Sequence, residues 1–174
     1  EMNPKLIVSM WPTINGGSEN YHYMRNNNML MRTARGPDRV FDFYGWQNEI
    51  DVTNPATREY VWNKLKENYI DNGVDALWFD EAEPEIHPEH FDNLIWYKGR
   101  ADMVGLLYPY YYSKMAYDGF KSIGRDDIIT LTRCAYLGSQ KFGSLVWSGD
   151  IESTFESLAC QVKAGLNMAM CGIP

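Results

Sequence analysis

Asp80 closes the run Leu77-Trp78-Phe79-Asp80, and Asp150 closes Leu145-Val146-Trp147-Ser148-Gly149-Asp150. Each is a carboxylate reached through a short apolar run that contains a Trp. Two carboxylates brought to one glycosidic bond can cleave it. One attacks the anomeric carbon while the other protonates the leaving oxygen. Aromatic side chains supply large flat faces, against which the C–H faces of a sugar can stack. Both Asp residues also have a plainer reading. Asp80 could cap a turn, and Asp150, in Ser-Gly-Asp ahead of a helical pattern, could serve as an N-cap.

Other residues could join this chemistry. Arg133 follows Ile128-Ile129-Thr130-Leu131-Thr132, and a cation there would pair with a carboxylate or bind sugar hydroxyls. A purely structural salt bridge is the alternative. Trp11, Trp78 and Trp147 each sit at or just before the end of an apolar run, as cleft walls or as core. Asp80, Glu81, Glu83 and Glu85 with His87 and His90 offer oxygen and nitrogen ligands to a divalent metal. That would make a metal-dependent hydrolase. The spacing fits no ligand motif, and Pro84 and Pro88 make the segment a loop, so a solvated acidic rim is the bland alternative. Cys134 has no His near it in sequence and is read as packing.

The elements that must position these residues follow from periodicity. Leu6 to Met10 is a continuous apolar run of strand length, ended by Trp11-Pro12. Residues 13–49 have poor periodicity and read as a long rim loop. Thr53-Asn54-Pro55 is a helix start, Val61, Leu65 and Tyr69 form its stripe, and Gly73 closes it. Val74 to Phe79 is the next strand. Met103 to Phe120 is a second helical pattern in which Pro109 marks a kink or a later start. Strands follow at Ile128 to Thr132 and Ser144 to Trp147. A helix is expected over Ile151 to Ala164, with Gly165 as its cap, and a further strand over Leu166 to Met170. Strands alternating with helices imply parallel pairing through right-handed crossovers. Carboxylates at strand ends favour a (β/α)8 TIM barrel over a doubly wound sheet, and no Gly-x-Gly-x-x-Gly follows a strand, so a dinucleotide-binding reading lacks its fingerprint. The pattern supplies four strands and the start of a fifth.

Composition narrows the classes. The chain has 174 residues, 45% hydrophobic and 22% charged, as one globular unit does. Its net charge is −7, and without a basic stripe nucleic acid is a poor partner. No apolar stretch approaches the ~20 residues of a membrane span. Cys134, Cys160 and Cys171 have no metal-ligand spacing, and their odd number disfavours a disulfide framework; they read as reduced core thiols. That and the lack of a visible signal peptide lean towards the cytoplasm. The chain opens inside a strand and stops after an apolar run, so neither end is expected to be a domain boundary.

Taken together, the segments resemble the catalytic barrel of glycoside hydrolase family 31, which includes α-glucosidases and α-xylosidases. The likeness is carried by Ile7-Val8-Ser9-Met10-Trp11-Pro12, by Asp51-Val52-Thr53-Asn54-Pro55 with Arg58, and by Gly73-Val74-Asp75-Ala76-Leu77-Trp78-Phe79-Asp80 with Glu83-Pro84. It continues in Leu131-Thr132-Arg133, in Gly138-Ser139-Gln140-Lys141-Phe142-Gly143, in Trp147-Ser148-Gly149-Asp150, in residues 164–170 and in Gly172-Ile173-Pro174. The resemblance implies that Asp80 is the nucleophile and Asp150 the general acid/base. It implies that Arg133 contacts the sugar in the −1 subsite, and that Trp11, Trp78 and Trp147 wall it. Glu81 departs from the family, where a small or apolar residue is more usual, and Lys141 stands where Arg is common. The implied activity is retaining, exo-acting hydrolysis of terminal α-linked glucose or xylose from an oligosaccharide, with no metal or organic cofactor. A non-catalytic carbohydrate-binding relative is the rival, though it would not need both carboxylates. Residues 1–174 are expected to be the central part of one barrel domain. The remaining strands and the family's accessory β-domains lie outside them, so the segment alone is expected to be inactive.

Overall fold

The computed structural model describes residues 4–38, 41–42, 45–84 and 88–173. In chain order the elements are β1 (Ile7–Met10), β2 (Thr13–Asn15), α1 (Tyr21–Asn26), β3 (Arg32–Thr33), β4 (Phe41–Asp42), β5 (Trp46–Glu49) and α2 (Pro55–Asn68). They continue with β6 (Ala76–Phe79), β7 (Leu94–Trp96), β8 (Gly99–Arg100), α3 (Ala101–Val104), α4 (Tyr108–Ser122), β9 (Thr130–Thr132), β10 (Ser144–Val146) and α5 (Phe155–Met170).

The strands expected from apolar runs form one four-stranded sheet in the order β1-β6-β9-β10, and every pairing in it is parallel. Their ends are in register, with Met10 beside Phe79, Phe79 beside Thr132, and Thr132 beside Val146. All four chains therefore leave the sheet at one edge. Strand alternation divides the residues between two faces. Met10, Leu77, Phe79, Thr130 and Thr132 face the helices. Phe79 stacks on Tyr112 of α4 at 4.0 Å between ring centroids, and Leu77, Phe79, Thr130 and Thr132 are fully buried. Ile7, Ser9, Trp78, Leu131 and Leu145 lie on the other face, where Ile7 and Leu145 are exposed. In a closed barrel that face lines the interior.

Local chemistry sets the helices. Asn54 caps α2, its side chain accepting from the Ala56 amide at 3.0 Å, with Pro55 at the first position. Pro109 begins α4 rather than kinking it, because the missing N–H falls where no intrahelical bond is lost. The inner face of α2 is Thr57, Trp62 and Leu65, a slightly different stripe from the one expected. Trp62 sets the spacing to α4: a β-carbon on Gly119 would lie 2.0 Å from its ring, so only glycine lets these helices approach.

Residues 13–49 carry β2, α1, β3, β4 and β5, each only two to six residues long, which is why no period shows. They form two antiparallel sheets beyond the β1 edge, β2-β5-β4 and β3-β7-β8. The hairpin β7–β8 was not legible either.

The C-terminal expectations need correction. The helix does not start at Ile151 or end at Gly165; α5 begins at Phe155, capped by Thr154. The strand expected over Leu166 to Met170 is helix. A five-residue apolar run has no period of its own and fits either structure. The helix ends at Met170 and closes just beyond it, where Gly172 has φ 73°, the Gly172 amide donates to Ala169 O, and the Ile173 amide donates to Met168 O at 3.0 Å. This is a Schellman ending. Cys160 and Cys171 are exposed and Cys134 is only partly buried, so the three thiols do not share a core.

Candidate active site

The site is built by extending the parallel ladder one residue past the strand ends. The Asp80 amide donates to Met10 O at 3.1 Å, the Arg133 amide to Phe79 O at 3.1 Å, and the Trp147 amide to Thr132 O at 3.4 Å. Trp11, Asp80, Arg133 and Trp147 thus occupy equivalent positions after four adjacent strands. Continuing the alternation places them on the face of Ser9, Trp78, Leu131 and Leu145. Carboxylate, cation and two indoles meet on one rim without any being close in sequence.

Asp80 is held from both sides. Trp11 Nε1 donates to Oδ2 at 3.2 Å, and the Glu81 amide donates to Oδ1 at 3.0 Å. Arg133 Nη1 lies 3.5 Å from Oδ1, an electrostatic approach longer than a good hydrogen bond. The donors fix the plane of the carboxylate, whose side chain keeps 19% exposure.

Arg133 is itself gripped. Glu83 takes its Nε and Nη2 at 2.9 and 3.1 Å, the two-pronged geometry that planar guanidinium and carboxylate favour. Glu81 pairs with Nη2 at 2.7 Å. Burial alone would lower the Arg133 pKa, but the Glu83 and Glu81 carboxylates outweigh it and hold it above its ordinary value. Burial drives the neighbouring Cys134 thiol up to about 11, with the Glu83 charge adding to it, which suits packing rather than nucleophilic work.

Trp78 and Trp147 contact edge to face, 5.4 Å between centroids. The loop after β10 returns beside Arg133: a β-carbon on Gly149, which has φ 74°, would stand 3.9 Å from Arg133 Cγ and Cδ. Asp150 follows, exposed on this rim. It does not cap the helix; Thr154 does, its Oγ1 accepting from the Ser157 amide at 3.1 Å. The plainer reading of Asp150 as N-cap is thereby removed.

Of the acidic loop, Glu81 is buried and Glu83 is bound to Arg133, so the bland solvated-rim reading does not hold for these two. The same pairings take up oxygens that a metal would need. Among the described residues, no three His, Cys, Asp or Glu side chains gather in a way that could hold a metal ion. Glu85 and His87 lie outside the described residues, as does the His90 side chain. Sequence reasoning missed Glu81 and Glu83 as partners of Arg133. The available signal was a run of carboxylates one and three residues past a strand end, but it did not say which neighbouring strand would supply the cation.

A second buried carboxylate supports the rim from outside. Asp51 Oδ1 accepts from the Thr53 amide at 3.0 Å and from Thr53 Oγ1 at 2.6 Å. Its Oδ2 accepts from the Tyr97 amide at 2.6 Å. It thus ties the start of α2 to the hairpin β7–β8. Burial raises its pKa, against the lowering effect of these bonds.

The comparisons with known proteins agree with this geometry. The glycosyl hydrolases family 31 TIM-barrel domain matches residues 1–174. A crystal structure of a GH31 alpha-xylosidase from a soil metagenome, complexed with xylose, is 44% identical and superposes with a TM-score of 0.94, over 98% of this chain and 25% of that one. The uncharacterized family 31 glucosidase ORF2 of Pseudescherichia vulneris is 40% identical over 173 residues, covering 99% of this chain and 33% of that protein. Alpha-xylosidase A of Aspergillus niger is 31% identical over 97% of this chain and 26% of its own length. The chain therefore spans between a quarter and a third of the length of these three relatives. With its parallel sheet, its strand-end carboxylate and this match along its whole length, the chain belongs to glycoside hydrolase family 31, within the TIM-barrel domain of that family.

Proposed function

We propose that the protein carrying this chain is a retaining, exo-acting α-glycosidase that releases terminal non-reducing α-linked xylose or glucose from oligosaccharides. The observation that carries the reading is Asp80: a carboxylate at the end of an inner strand, oriented by Trp11 Nε1 and the Glu81 amide, with Arg133 beside it. Asp80, ionised, attacks the anomeric carbon as the bond to the leaving oxygen breaks. Asp150 gives its proton to that oxygen. Water then attacks the glycosyl-enzyme, Asp150 takes its proton, and the α configuration is restored. Trp11, Trp78 and Trp147 wall the sugar, and Arg133 orients it. The two carboxyl groups should stand about 5–5.5 Å apart in the sugar-bound protein. Xylose is the first substrate to test, because the relative at 44% identity is an α-xylosidase complexed with xylose.

The test uses the full-length protein and p-nitrophenyl α-xyloside and α-glucoside. NMR should show the α-anomer as first product. Asp80→Ala should abolish turnover, and a 5-fluoro-xylosyl fluoride should label Asp80 in the wild type. Asp150→Ala should lose about 10²–10⁴-fold on natural linkages, and much less on aglycones that leave without a proton. A β-anomer as first product, or full activity in Asp80→Ala, would sink the assignment.

A further inference from the structure

The residue after Asp80 is the least expected at its position. Glu81 has φ 53°, the left-handed region that residues with a β-carbon avoid. Its carboxylate is also buried, the whole residue being 7% exposed, although charged side chains stay in water unless paired. A left-handed backbone and a buried charge at one position, next to Asp80, are outliers of the kind that cluster at functional sites.

Both features act on Asp80. The left-handed turn aims the Glu81 amide at Asp80 Oδ1, 3.0 Å away. The side chain runs to Arg133 Nη2 at 2.7 Å. Glu83 already holds the Nε–Nη2 edge. A single fork would leave the guanidinium free to swing with Glu83, which is 40% exposed. The second carboxylate on Nη2 removes that freedom and leaves the Nη1 end facing Asp80 at 3.5 Å.

We propose that Glu81 is a positioning residue for the nucleophile: its backbone N–H fixes Oδ1 of Asp80, and its carboxylate sets the plane of Arg133 against that oxygen. The proposal rests on the glycosidase reading above and adds to it a side chain that touches Arg133 rather than the reacting bond. A small or apolar residue here could supply the amide but not the clamp.

The experiment compares wild type, Glu81→Gly and Glu81→Gln in the full-length protein, on p-nitrophenyl α-xyloside and on α-xylosyl fluoride, with thermal unfolding alongside. Glycine keeps the turn without strain and loses the clamp. Relief of the left-handed strain offsets part of the lost Glu81–Arg133 pairing, so Tm should change little while kcat falls about 10²-fold, as a small misplacement of reacting groups does, with KM little changed. Glutamine keeps a hydrogen-bonding oxygen without the charge and should lose less. The loss should be as large on the fluoride, which needs no proton from Asp150, because attack by Asp80 is the slowed step. If Glu81→Gly and Glu81→Gln match a wild type that is active and retaining, this inference fails and the glycosidase reading stands. A fall in Tm and kcat together in Glu81→Gly, with Glu81→Gln unaffected, would make Glu81 structural and overturn the inference too. A wild type inactive on every α-xyloside and α-glucoside would overturn both.

Discussion

Arg133 is the residue on which the rim depends. Asp80, Glu81 and Glu83 all approach its one guanidinium. Replacing it by Lys keeps the charge but not the fork, since an ammonium is a single point of donation. Arg133→Lys should leave Glu81 or Glu83 imperfectly paired. Breaking a fully buried pair costs about 3–5 kcal/mol. The Arg133 side chain keeps 20% exposure, so water makes up part of the loss and about 1–3 kcal/mol is expected. Urea unfolding would measure it. The turnover of Arg133→Lys should fall further than its stability suggests, because Asp80 loses its neighbour as well.

At the scale of elements, the support is Asp51. Its two oxygens accept from Thr53 and Tyr97, and the ionised group is acceptor-only. Asp51→Asn can keep the Thr53 bonds but turns an amide N–H towards the Tyr97 N–H. Leaving that buried donor unpaired should cost about 1–3 kcal/mol, and faster hydrogen exchange at the Tyr97 amide would locate the damage. The pH dependence follows from the raised pKa of Asp51. The folded state binds its proton more tightly than the unfolded chain does. Its contribution is fully present below the unfolded value and is lost as pH rises through the folded value. Denaturation midpoints measured from pH 4 upward should therefore show a falling contribution that Asp51→Asn removes. An unchanged slope in that variant would deny the assignment.

At the scale of the whole 174-residue chain, the informative surface is the one left uncovered. Ile7 and Leu145 are exposed on the open face of the sheet, and Phe155, Leu158, Val162, Leu166 and Met170 are exposed along α5. Their spacing puts the α5 residues on one stripe, an apolar patch of the kind that marks an interface. The 174-residue chain by itself should bind a hydrophobic dye and self-associate in sedimentation velocity. Leu158→Ser with Leu166→Ser should reduce both without unfolding the parallel sheet, which α5 does not bury. A chain that stays monomeric and dye-free would contradict the exposure of this stripe.

The parallel strands were legible as apolar runs of strand length, and the α2 start as Asn54-Pro55, because apolar runs and capping chemistry are local. The places of Trp11, Asp80, Arg133 and Trp147 just past the strands were legible because strand ends can be read from those runs. The short strands of residues 13–49 were not, since two or three residues carry no period. The apolar run at 166–170 fits helix and strand equally, and was settled only by the capping of α5 at Thr154 and Gly172. Only the tertiary structure decided that Glu81 and Glu83 belong to Arg133. Strand register, fixed by pairings some fifty residues apart in the chain, brings them together. The sequence by itself determined which side chains follow the strands and in what order, because local pattern encodes where a strand ends. Which of them touch was decided by how the strands align, a property of the assembled sheet.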